Sequence, residues 1–130
     1  MTPEKTHLLF ERHKHMFRGK NLSIRENLMP FGFECGDGWY ILIDELCSEI
    51  ERIIDNDEVL KEDFIVTQVK EKFGTLRFYC GPGSEAIYAV INLAESLSQH
   101  ICESCGSPGR TNHTGWLRTL CPICKNRSEN

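Results

Sequence analysis

Cys102-Glu-Ser-Cys105 and Cys121-Pro-Ile-Cys124 are two Cys-x-x-Cys pairs separated by fifteen residues. Two residues between thiols let both sulfurs of a pair reach one ion from a tight turn. Two such turns at the ends of a hairpin supply four thiolates, the tetrahedral donor set that Zn²⁺ favours at about 2.3 Å per bond. The fifteen-residue gap lies inside the range of structural zinc sites. Gly106 directly after the first pair suits the sharp turn of such a knuckle. The pattern predicts a structural Zn²⁺ held by Cys102, Cys105, Cys121 and Cys124 in a C-terminal ribbon. Four protein thiolates leave no coordination position for water, so the metal would be a scaffold rather than a hydrolytic centre. A four-thiolate iron–sulfur cluster shares the spacing. His100 or His113 could replace one thiol as ligand. Two redox dithiols are disfavoured, because neither pair sits in a βαβ pattern.

Other chemistries find no support in the sequence. A zinc nucleobase deaminase wants His-x-Glu upstream of Pro-Cys-x-x-Cys. Here Pro122 lies inside the pair, and His113 is followed by Thr-Gly. There is no His-Glu-x-x-His, nucleophile elbow or phosphate loop. The expectation is a protein that is not an enzyme.

Between the cysteine pairs, Arg110, His113, Trp116 and Arg118 mix cations with an aromatic ring, and Lys125 and Arg127 follow. That mixture suits a protein interface, where Trp and Arg are favoured anchors. It also suits bases and phosphates. The alternative role for Trp116 is packing the ribbon onto the helices. A second basic group, Lys70, Lys72 and Arg77, stands in an acidic region and could bind an anionic ligand. Its alternative role is pairing with the carboxylates of residues 44–63.

These groups need elements to hold them. Thr2 and Pro3 open a helix read over residues 2–18, with Leu9, Met16 and Phe17 inward and His13, Lys14, His15 and Arg18 toward solvent. Ser23-x-x-Glu26 reads as a capping box for a short helix ending before Pro30. The Gly-rich stretch 31–38 is a turn or a short extended piece. Residues 39–54 carry apolar side chains at spacings of three and four, with Cys47 on the apolar stripe and Asp37 as cap. Phe64 to Lys70 and Thr75 to Cys80 read as an antiparallel hairpin around Glu71-Lys72-Phe73-Gly74. Ser84 opens a helix over 84–101 that runs into Cys102. The fold class is α+β: helices packed with an antiparallel β-hairpin, then a C-terminal zinc ribbon built on four cysteines. Residues 1–101 form the α+β core, and 102–130 the ribbon packed on it, one domain in all. The ribbon's few apolar residues, Ile101, Trp116, Leu117, Leu120 and Ile123, could not fold it by burial alone.

The 130 residues are 40% hydrophobic and 26% charged, values that exclude a disordered or collagen-like chain. No apolar run, Trp39 to Ile43 included, approaches the length needed to cross a membrane. The polar N-terminal segment lacks the apolar core of a signal peptide, so a cytoplasm is the expected compartment. Seven cysteines, an odd number, argue against a closed disulfide framework. The net charge of −4 divides into +4 over residues 1–25, −10 over 26–99 and +2 over 100–130. Phosphate binding by the whole surface is thereby disfavoured, while local basic patches remain.

Three stretches together are distinctive: Gly38-Trp-Tyr-Ile-Leu-Ile-Asp-Glu-Leu-Cys47, Gln68-Val-Lys-Glu-Lys-Phe-Gly-Thr-Leu-Arg-Phe-Tyr79, and Ile101-Cys-Glu-Ser-Cys-Gly-Ser-Pro-Gly109 with Gly115-Trp-Leu-Arg-Thr-Leu-Cys121. The combination resembles small zinc-ribbon proteins encoded by bacteriophages and prophages, a group to which no activity is assigned. From first to last, the stretches that carry the resemblance span about two-thirds of the chain. It implies a phage accessory protein in a bacterial host cytoplasm and carries over no catalytic residue. The leading expectation is a non-enzymatic zinc-binding protein that binds a host macromolecule, a host protein first, with inhibition of a defence component its most concrete form. The alternatives are a nucleic-acid-binding zinc ribbon and a binder that sequesters an anionic, nucleotide-type small molecule.

Overall fold

The computed structural model describes the backbone of residues 1–129 and the side chains of residues 1–128; position 130, the end of the expected ribbon module, lies outside the described residues. Helix α1 spans Pro3–Arg12, with the Thr2 hydroxyl accepting from the Lys5 amide and Pro3 in the first turn. The helix does not continue to residue 18. His13 leaves helical geometry, at φ −130° and ψ 48°. Its ring turns inward, with Nε2 2.7 Å from Asp44 Oδ1 and Nδ1 against Glu51 Oε1. His13 is therefore buried rather than on a solvent face. The break also redirects the chain so that Met16 and Phe17 reach the core. Arg18 is half-buried and donates to the carbonyls of His15, Glu62 and Phe64.

The Ser23 box yields a turn, not a helix: the Glu26 amide donates to the Ser23 carbonyl, and the Arg25 amide to Ser23 Oγ. The residues that would extend a helix are committed elsewhere. Asn27 Nδ2 donates to the Val66 carbonyl and the Leu28 amide to Thr67. The Gly-rich connector contains strand β1, Phe33–Glu34. It pairs in parallel with β2, Val66–Lys72, and β2 pairs antiparallel with β3, Thr75–Cys80. β2 is thus the central strand of three. Glu71 and Lys72 belong to the strand, so the turn is only Phe73-Gly74. Both residues have positive φ, 54° and 83°. That is the type I′ geometry whose twist matches a two-residue hairpin.

Helix α2, Tyr40–Ile54, buries Ile43, Leu46, Cys47, Ile50 and Ile54, as its spacing predicts. A 3₁₀ turn, Asp37–Trp39, precedes it. Asp37 does not cap α2; its carboxylate accepts from the Thr2 amide at 2.7 Å. A short helix α3, Glu58–Asp63, capped by Asp57, links α2 to β2; its six residues are too few for an apolar period to show. Helix α4, Glu85–Leu97, is capped by Ser84 and packs on α2 and β3. It ends four residues before 101, and a 3₁₀ turn follows over Ser98–His100. The Ser98 hydroxyl accepts from the Leu76 amide, and Glu95 accepts from the Phe78 amide. Side chains from α4 and the turn after it thereby occupy the outer edge of β3, where a further strand would otherwise pair. The core lies between these helices and the inner sheet face of Phe33, Val69, Leu76 and Phe78.

Beyond Cys102 come β4, Arg110–Thr111, and β5, Thr119–Leu120, an antiparallel pair. Helix α5, Pro122–Glu129, follows. Pro122 at its first position is the sequence signal for it. The architecture is α+β, helices with an antiparallel hairpin and a C-terminal cysteine cluster.

Candidate metal centre and adjoining groove

The 3₁₀ turn after α4 leads through Ile101 to Cys102, which opens a tight turn. The Gly106 amide donates to the Cys102 carbonyl at 2.9 Å, and the Cys102 amide to Ser107 at 2.7 Å. Gly106 adopts φ 83°, a left-handed conformation that glycine enters without steric cost. Cys121 follows β5, and Cys124 sits in the first turn of α5 with its amide directed at Cys121 Sγ. The four sulfurs all lie within 4.8 Å of one another. Cys105 Sγ and Cys121 Sγ are 3.7 Å apart. A tetrahedron with bonds of about 2.3 Å has edges of about 3.8 Å, so the donor set fits such an ion. Neither His100 nor His113 belongs to the cluster.

The thiols cannot all ionise side by side without a cation. Hydrogen bonds from Ser107 hold Cys105 down to about 6. Contact with Cys121, reinforced by burial, pushes Cys124 up to about 12. A divalent cation would remove this competition by binding all four as thiolates. Cys102, Cys121 and Cys124 are buried, and among the described residues Leu120 is the hydrophobic neighbour packed against them. Two residues expected in the ribbon core face solvent instead: Trp116 is 84% exposed and Ile123 64%. The ribbon has almost no apolar interior, and the cysteine cluster occupies its centre.

The cluster is docked on the α+β core through two glycines. The Gly36 amide donates to the Glu103 carboxylate at 2.9 Å, and the Gly38 amide to the Glu103 carbonyl at 2.7 Å. Burial raises the Glu103 carboxyl above its ordinary value. Trp39, fully buried, donates its indole N–H to the Ile101 carbonyl at 2.9 Å. The remaining thiols do not join the site. Burial drives Cys35 up to about 12 and Cys47 well above the ordinary range, and burial also raises Cys80. Cys47 is a core residue of α2.

Arg110, His113, Trp116 and Arg118 all line one groove of about 980 Å³ between the β4–β5 hairpin and α5. Lys125 lies on its α5 wall, and no carboxylate of residues 1–128 lines it. The packing role for Trp116 is excluded by its exposure. Asn112 holds the loop that presents it. Its side-chain amide donates to the carbonyls of Thr114 and Trp116 at 2.7 and 2.8 Å, and its oxygen accepts from the Arg118 amide. Periodicity gives no sign of this role, although Asn near Gly115 in a polar stretch is a turn signal.

Lys70, Lys72 and Arg77 lie on the outer sheet face, with Lys70 directly opposite Arg77. Among the described residues no salt bridge joins any of them to a carboxylate, so the expected pairing with residues 44–63 does not occur. None of the three lines the ribbon groove.

No helix of the structure is long and apolar enough to cross a membrane. Comparison with protein-family models, curated proteins and solved structures finds no match.

Proposed function

We propose that this chain is a non-enzymatic, zinc-scaffolded binding protein that captures a host macromolecule in its ribbon groove. In this reading it is a phage accessory protein of the bacterial cytoplasm, and blocking a host defence component is the concrete form of its action. Zn²⁺ on Cys102, Cys105, Cys121 and Cys124 would lock the two knuckles and so fix the hairpin between them. Four sulfur donors favour zinc or an iron–sulfur cluster over harder ions. With all four tetrahedral positions taken by protein, the ion has a structural role.

One observation carries the reading. Trp116 is almost fully exposed on a loop pinned by Asn112, in a groove walled by cations and lined by no carboxylate of residues 1–128. A large exposed ring costs solubility and contributes nothing to the core, yet Trp and Arg are the side chains that dominate binding hot spots. The test is affinity capture from host cells with the metal-loaded chain and a Trp116→Ala/Arg118→Ala variant of equal metal content. Loss of the captured component in the variant is expected. Undiminished capture contradicts the reading.

A further inference from the structure

The β2–β3 turn packs against the β4–β5 hairpin, which forms one wall of the ribbon groove. Register places Gln68 opposite Tyr79, Lys70 opposite Arg77 and Lys72 opposite Thr75, so these side chains share the face turned away from Val69, Leu76 and Phe78. Glu34 of β1 stands beside Lys70 at the far edge of this face, its carboxylate accepting from Gln68 Nε2 at 3.3 Å. Tyr79 is 41% exposed on that face. At the turn, Gly74 lies against the ribbon. Its carbonyl accepts from the Thr119 hydroxyl at 2.6 Å, and a Cβ there would lie 3.1 Å from the backbone of Leu117 and Arg118. Trp116 is the next residue along. Phe73, immediately before Gly74, projects a 66% exposed ring from a backbone of φ 54°, with Lys72 Nζ over one face of the ring at 5.6 Å from its centroid and the other face left for a base. Type I′ turns ordinarily put Asn, Asp or Gly at that position. A bulky side chain held in left-handed geometry and turned to solvent points to function rather than stability.

The charges single out the same face. Residues 26–99 hold five basic side chains: Arg52, Lys61, Lys70, Lys72 and Arg77. Arg52 pairs with Glu49 and Lys61 with Asp55. The three without an ion pair among the described residues are those beside Tyr79 and Phe73. We infer that the outer sheet face and the ribbon groove form one continuous track for single-stranded nucleic acid, with bases stacking on Tyr79, Phe73 and Trp116 while Lys70, Lys72 and Arg77 neutralise phosphates. The inference rests on the ribbon groove being a binding surface and names its occupant. Separate exposed rings interleaved with cations are what unpaired bases require, because each ring needs a free base face. An acidic protein would use the cations but not three rings spread from strand to loop. A duplex keeps its base faces stacked internally.

The test uses the metal-loaded full chain and a fluorescein-labelled oligothymidylate, alone or annealed to oligoadenylate, with anisotropy read over a salt series. Binding to the single strand is expected, at least tenfold tighter than to the duplex, and weakening linearly in log salt. Lys70→Gln/Arg77→Gln should flatten the salt slope by about 1.4, at roughly 0.7 per lost phosphate contact on a single strand. Tyr79→Ala and Phe73→Asn should each weaken binding about fivefold or more. Asn suits the turn geometry, and Tyr79 is exposed, so both variants keep the fold. Equal affinity for the duplex overturns the inference. So does binding that depends on Trp116 but is unmoved by the sheet variants, which confines the ligand to the groove. Absence of strand binding, alongside Trp116-dependent capture of a protein, also overturns it while leaving the proposed function standing.

Discussion

The amide of Gly38 donates to the carbonyl of Glu103 at 2.7 Å, and a Cβ at position 38 would lie 2.0 Å from the carbonyl oxygen of Cys102. The backbone of the first knuckle thus lies flush on the turn that starts α2. The obstructing atoms are main chain and cannot swing aside. Gly38→Ala should therefore cost on the order of 3 kcal/mol in urea unfolding and loosen the metal site. Gly36→Ala should behave alike, since its Cβ would fall 2.3 Å from the Glu103 carbonyl oxygen. An unchanged midpoint in both variants would mean that the ribbon is not docked in this way.

Metal removal should be felt unevenly. Structural zinc contributes about 10–16 kcal/mol of apparent binding free energy in finger peptides. The ribbon has no apolar core to replace it, whereas α2, α4 and the sheet keep theirs. Chelation should abolish hydrogen-exchange protection over residues 101–125 first. Protection in α2 and β2 should persist. Simultaneous loss everywhere would show that the core also depends on the ion.

Two tryptophans should respond oppositely to substitution. Trp116 touches little, so Trp116→Ala should change stability by no more than about 0.5 kcal/mol. Trp39 is buried and its indole N–H is bonded to Ile101, so Trp39→Phe leaves that carbonyl short of a partner. A loss of about 1–3 kcal/mol is expected by thermal or urea unfolding. Comparable losses at both positions would contradict the exposure of Trp116.

Asp44 gives a pH dependence. Burial raises its carboxyl, but hydrogen bonds from Arg12 and His13 outweigh this and hold it below its ordinary value. A depressed native value stabilises the fold above the unfolded value of about 3.9, and this contribution is lost as pH falls through the native value. Wild type should exceed Asp44→Asn in stability above the unfolded carboxyl value. The margin should shrink below about pH 4. A margin that stays constant in urea melts down to about pH 2 would contradict the linkage.

Much of this was legible in local pattern, and the rest depends on distant partners. The cysteine spacing, the apolar stripes of α2 and α4 and the strands of the hairpin are properties of adjacent residues. His13 is not: Asp44 and Glu51, which draw it inward and end α1, lie 31 and 38 residues away. Strand β1 has two residues and pairs in parallel, too short for any alternation to show. The Ser23 box fails because Asn27 and Leu28 are claimed by the start of β2. At the site, residue types in the hairpin foretold a cation-and-aromatic surface. That Arg110, His113, Trp116 and Arg118 share one groove, with Trp116 outward, follows from the bonds of Asn112.

Phe73 offers a separation of stability from binding. Its left-handed backbone is strained for a bulky side chain, and Phe73→Asn relieves it. The variant should gain about 1 kcal/mol of stability in urea unfolding. A destabilised variant would show that the ring is held by packing and not merely displayed.

The cysteine cluster is predicted to hold one ion as a fully protein-ligated scaffold. X-ray absorption at the zinc edge on untagged protein measures this directly. Four sulfur neighbours at about 2.3 Å, with no nitrogen or oxygen in the shell, is the predicted result. Protein free of bound metal, a shell containing oxygen, or the four cysteines joined as disulfides would contradict it.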